Sequence, residues 1–103
     1  MAKQSRLEFH DVLVNILGSS NVYFQPPENL KLNYPCIVYS INNIDTKYTN
    51  NYPYKIDVCY QVTLISRDPD DETRDKLLKL QMCRYERQFK SNDLNHDVFR
   101  IYI

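Results

Sequence analysis

The chain has little glycine and no charge to spare. One glycine occurs in 103 residues, and 13 basic side chains balance 13 acidic ones, so the net charge at neutral pH is zero. A single glycine leaves no Gly-rich loop to cradle a phosphate. A zero balance argues against a protein that holds nucleic acid through a positive excess. No run approaches the ~18 apolar residues that a membrane span needs, and the polar start, Met1 to Arg6, does not read as a secretory signal. Cys36, Cys59 and Cys83 are odd in number, widely spaced and without a Cys-x-x-Cys, which points to reduced intracellular thiols rather than disulfides or a zinc site.

What is present suits a folded chain. Hydrophobic residues make up 43%, too many for a disordered segment. The length predicts a single domain over residues 1–103, with a folded surface of roughly 6,000 Å² and one core. There is no internal repeat or low-complexity tract.

Residues 5–17 predict a helix. Phe9, Val12, Leu13, Ile16 and Leu17 form one apolar stripe, Ser5 and Glu8 have capping-box spacing, and Gly18 stands where a helix stops in the left-handed conformation. Val22 to Gln25 is a short strand closed by Pro26 and Pro27. A second strand, Cys36 to Ile44, alternates Ile37, Tyr39 and Ile41 against Val38 and Ser40. Asn42, Asn43 and Asp45 open a polar connection to Pro53. Residues 54–65 alternate strictly, with Tyr54, Ile56, Val58, Tyr60, Val62 and Leu64 on one face. A strand that long, paired with the one before it, predicts a hairpin that projects beyond the body. A second helix follows over residues 71–81, with acids in its first turns as the helix dipole favours. Met82 to Phe89 and Asp97 to Ile103 close the chain as strands, with Ser91 to His96 as the turn. The order α-β-β-β-α-β-β predicts an α+β fold, an antiparallel-rich sheet with a long β-hairpin and two packed helices.

Candidate chemistry is sparse. His10 falls off the helix stripe and is expected in solvent. His96 is expected in a polar turn, capping backbone groups. A Cys83/His96 nucleophile pair is conceivable, but it lacks a local signature and a glycine for an oxyanion loop. Asp68, Asp70, Asp71 and Glu72 lack the alternation and turn glycine of an EF-hand, and read better as a helix start. No catalytic, cofactor or metal residue is assigned. Among the nine tyrosines, Tyr34, Tyr48, Tyr52 and Tyr54 gather around the hairpin, and tyrosine is enriched at protein interfaces. Charge is segregated: residues 68–75 carry five acids and one base, residues 76–90 five bases and one acid. Opposite patches allow head-to-tail pairing, which can close a ring. The expected interface residues are Tyr39, Tyr48, Tyr52, Tyr54, Asp70, Asp71, Arg84 and Arg87.

Three segments are familiar in combination. Tyr34-Pro35-Cys36-Ile37-Val38-Tyr39 resembles the start of the first long strand in the tail terminator (tail-completion or neck) proteins of long-tailed bacteriophages. Tyr60-x-Val62-Thr63-Leu64-Ile65-x-Arg67-Asp68-Pro69-Asp70 is similar to that family's strand-to-helix passage. Asn92-Asp93-Leu94-Asn95-His96-Asp97-Val98-Phe99 looks like its closing turn and strand. The resemblance covers residues 30–103 in one order. It implies a virion protein assembled in the host cytoplasm, without catalysis or cofactor. Such a protein forms a hexameric ring that caps the tail tube, meets the head-side connector and lets DNA pass through its lumen. A head-closure or stopper protein and a small Cys/His enzyme are the alternatives.

Overall fold

The computed structural model describes residues 6–80 and 82–102, and only the backbone at residues 53–55. Helix α1 (Arg6–Leu17) is followed by strands β1 (Val22–Phe24), β2 (Cys36–Thr49) and β3 (Tyr52–Ser66), helix α2 (Glu72–Leu78), and strands β4 (Cys83–Ser91) and β5 (Leu94–Tyr102). The fold is α+β, in the order expected. The five strands form one mixed sheet, β1-β2-β3-β5-β4, parallel only between β1 and β2.

Strand parity decides which face is covered. Ile37 and Tyr39 on β2, Tyr60, Val62 and Leu64 on β3, and Phe99 and Ile101 on β5 form one buried cluster with Phe9 and Leu13 of α1 and Leu77 of α2. Both helices therefore lie on the same face. The helix stripe is as predicted at its centre, while Val12, Ile16 and Leu17 stay half-buried along its edge. Gly18 ends α1 at φ 75°, and its N–H donates to the Val14 carbonyl at 2.8 Å. Ser5, the expected partner in the capping box, lies outside the described residues. On the opposite face, Pro26, Pro27, Leu30 and Leu32 of the β1–β2 loop wall an open groove of about 340 Å³ over Val38, Thr63, Ile65 and Phe89.

Both turns are tighter than the sequence predicts. Asn42, Asn43 and Asp45 do not begin a loop. They belong to β2, which pairs with β3 as far as Thr49 opposite Tyr52. Asn50 and Asn51, at φ 51° and 66°, make the two-residue turn that matches the strand twist. Likewise the stretch from Ser91 to His96 is not one long turn. Ser91 already pairs with Leu94, and Asn92 and Asp93, at φ 52° and 63°, close the β4–β5 hairpin. Asparagine and aspartate tolerate this left-handed backbone, so four polar residues that look like loop are two hairpin tips. Helix α2 is shorter than expected: the Leu80 N–H donates to the Leu77 carbonyl at 3.1 Å, and the backbone turns left-handed at Met82, φ 61°.

No helix among the described residues is long and apolar enough to cross a membrane.

Candidate interaction surface

The hairpin outruns the sheet. Pairing of β3 with β5 stops at Cys59 opposite Tyr102, and β1 covers β2 only from Ile37 to Tyr39. Among the described residues, 44–49 and 52–58 therefore have only each other as strand partners. At about 3.4 Å per residue this ribbon runs on for roughly 24 Å. The projection shows in the molecule's dimensions, 51 × 30 × 23 Å, and in a radius of gyration of 14.8 Å, against about 13 Å for a compact chain of this length. The surface, 7104 Å², likewise exceeds the roughly 6,000 Å² of a compact monomer of this mass.

The two faces of the ribbon differ. One continues the core beyond the helices. A one-residue bulge between Ile41 and Asn43 restores the parity, so that Ile44 stands opposite Val58 and Thr46 opposite Ile56, in line with Ile41 opposite Tyr60. Ile41, Ile44 and Ile56 are all exposed there, between 44% and 52%. The other face is charged. Asp45 stands directly opposite Asp57, and Tyr102 lies close by, its phenol raised by Cys59, by burial and by Asp45. Farther along the same face, Gln61 is opposite Arg100, and Arg100 is opposite Arg84. Like charges directly opposite destabilise a sheet, by up to about 1 kcal/mol a pair. Glu86 relieves Arg100 with an ion pair of 2.7 Å. Arg87 instead lies 5.5 Å over the Phe89 ring, which stacks on His96 at 4.7 Å.

The expected interface residues divide. Tyr48 and Tyr52 are exposed near the tip, at 65% and 75%, and Arg84, Arg87 and Asp70 are also exposed. The side chain of Tyr54 lies outside the described residues. Tyr39 is a correction: it is fully buried and presents no surface. It shares the parity of Ile37, so it points into the helix layer, where its ring packs against Phe9, Phe24 and Tyr60 at 5.7, 5.0 and 5.8 Å. Its hydroxyl lies 2.7 Å from His10 Nδ1 and accepts from Arg6 at 3.4 Å. His10 is therefore half-buried and hydrogen-bonded, not free in solvent. Tyr34 lies at the far end of the sheet, beside Arg67 and the β4–β5 turn, because β2 runs from there toward the ribbon.

Asp71 is committed to its own helix. As N-cap of α2, it accepts the Thr73 N–H at 2.8 Å. Burial alone would raise its carboxyl; hydrogen bonds from Thr73 and Ser66, with the charge of Arg74, hold it below the ordinary value. Asp68 accepts the Asp70 N–H at 2.9 Å, and Arg74 donates to the Pro69 carbonyl at 2.8 Å. The acidic run thus builds a helix start, and among the described residues no three ligating side chains converge.

The Cys83/His96 pair is not assembled. Cys83 stands opposite Ile101 and His96 opposite Phe89, which separates them by about 17 Å along β5. His96 sits in β5 rather than in a turn, its Nδ1 3.1 Å from the Leu94 carbonyl. Burial pushes the Cys36 thiol up to about 11 and raises Cys83 as well, which disfavours the nucleophilic thiolate. A buried carboxylate that the sequence does not single out is Asp97, 2% exposed. It accepts from the Tyr85 hydroxyl at 2.8 Å and from Gln88 Nε2 at 2.9 Å. The alternation Asp97, Phe99, Ile101, which puts this acid on the core face, is the signal that could have found it.

Compared with protein-family models and with curated proteins, the chain matches none.

Proposed function

We propose that this chain is the subunit of a ring that closes the tube of a long phage tail and joins it to the head-side connector, with DNA passing through the lumen and the protein retained in the virion. The observation that carries the reading is the ribbon of residues 43–58. Two strands alone are marginal in water, and this pair exposes Ile41, Ile44, Ile56, Tyr48 and Tyr52. Such an element suits a protein completed by its neighbours. The three segments that resemble tail terminators supply the kind of assembly. Two contacts of about 800 Å² each would occupy about a quarter of the 7104 Å² surface, which a ring subunit can provide.

Purified protein imaged by negative stain, with and without tail tubes, tests this. The expected result is a ring on one end of each tube, and protein that stays with tails when heads and tails are separated. Retention on heads alone would make it a closure protein of the head instead.

A further inference from the structure

We propose, building on the ring reading, that neighbouring copies join tip to groove: Tyr48 of one copy's ribbon seats in the groove under the β1–β2 loop of the next, and its hydroxyl donates to His96 Nε2. Val38, Ile65, Leu30 and Phe89 give that groove an apolar lining and a volume of about 340 Å³. This is near the lower end of what ligand pockets span, a size for an aromatic side chain. His96 lines the groove as well, its ring stacked on Phe89. The Leu94 carbonyl, 3.1 Å from His96 Nδ1, can only accept, so Nδ1 carries the hydrogen. In the neutral ring Nε2 is then an acceptor. Among the described residues nothing donates to it. An aromatic ring that carries a hydroxyl suits both the lining and the acceptor, and tyrosine is that side chain.

The chain offers this group where its own groove cannot take it. Ile44, Thr46 and Tyr48 keep one parity along β2, so Tyr48 ends the stripe that includes Ile41 and Ile56. It lies about 34 Å along β2 from Val38, on the helix side of the sheet, whereas the groove is on the bare side. A second copy answers both surfaces at once. A free phenol would fill the groove and leave the isoleucines uncovered, and nucleic acid has no complement for an apolar lining. In the seated ribbon, Ile56 follows Tyr48 onto the rim at Leu30. The area is sufficient: the 7104 Å² surface exceeds that of a compact monomer by roughly 1,000 Å², and a stable contact takes about 800 Å² from each partner. Tip and groove stand at opposite ends and on opposite faces, so every contact leaves one free tip and one free groove. Such a contact is heterologous and closes a ring where the rotation allows.

Mixed variants of the full chain test this. Tyr48→Ala removes the tip, and Leu30→Glu puts a charge into the groove. Both positions are exposed, so each variant is expected to melt within a few degrees of wild type. In sedimentation, each alone is expected to associate at least about tenfold more weakly than wild type. An equimolar mixture is expected to form pairs of one variant with the other and nothing larger, because one intact tip meets one intact groove. Tyr48→Phe removes only the donor and His96→Phe the acceptor. Each is expected to weaken association about fivefold, and the two together no more than either alone. Unchanged association in either Tyr48→Ala or Leu30→Glu, a mixture that does not pair, phenylalanine losses that multiply, or a wild-type chain that stays monomeric would each overturn the contact. Rings that persist in both Tyr48→Ala and Leu30→Glu would overturn the contact and leave the ring standing. Wild-type association that ends in open chains, with the mixture pairing as expected, would overturn the ring and leave the contact standing.

Discussion

Asp71 sits where opposing influences on one carboxylate can be separated. Its depressed pKa means that the folded state favours the ionised form. That contribution is complete above the ordinary carboxylate pKa and disappears as the pH falls through the folded value. Asp71→Ala is expected to lower stability by about 1 kcal/mol at neutral pH, with the gap to wild type narrowing below about pH 4. Urea unfolding at pH 7 and pH 3 checks both. A gap that is constant with pH would mean that the cap does not depend on charge. The role of Asp71 as a helix start is legible in the acidic run before Thr73. The place of Tyr39 is legible too, through its alternation with Ile37 and Ile41, and it is the attraction of tyrosine to interfaces that misdirects. The hydrogen bond of His10 to Tyr39 is not legible, because it joins residues that only the packing of α1 on β2 brings together.

Elements are recognised where a period runs unbroken. The strict alternation of β3 makes its length visible. In β2 the extra residue at Asn42 turns a spacing of two into a spacing of three between Ile41 and Ile44, so a continuous strand looks like a strand followed by a loop. A bulge leaves that signature, and the alternation resumes at once with Asp45, Thr46 and Lys47. The end of α1 is plainer. A Cβ added at Gly18 would meet nothing within 4 Å, so the cost of Gly18→Ala comes from the backbone alone. The φ of 75° sets it at about 1 kcal/mol, measurable as a lower urea midpoint with an unchanged slope. A loss below a few tenths would mean that the chain leaves the helix by another route.

At the scale of the whole molecule, the sheet buries its apolar face under the helices, while the ribbon leaves Ile44 and Ile56 exposed. The zero net charge illustrates the difference. Summed over the chain it argues against partners held by charge. Resolved onto the sheet it becomes a row of like-charged pairs on one face, Lys47 opposite Lys55, Asp45 opposite Asp57 and Arg84 opposite Arg100, and only the strand register reveals that arrangement. The segregation visible in the sequence, acids at residues 68–75 and bases at 76–90, is a weaker guide: Asp71 is spent on a helix cap, whereas Asp45 and Asp57, far apart in the sequence, stand opposite each other in the strand register.

The step at Cys59 has a further consequence, in time rather than in space. Among the described residues one continuous strand, β3, passes from a segment bonded on both sides to a segment bonded on one. Local opening follows such boundaries. Backbone amides from Tyr60 to Leu64 should exchange with deuterium at least about tenfold more slowly than those of residues 43–49 and 56–58, with the change falling within two or three residues. Uniform protection along β3 would show that the ribbon opens only with the body. A gradient of the expected kind would instead give the chain a rigid scaffold and a separately opening arm on a single strand, and under the proposed ring, docking onto a neighbour would be the event that brings the arm to the protection of the rest.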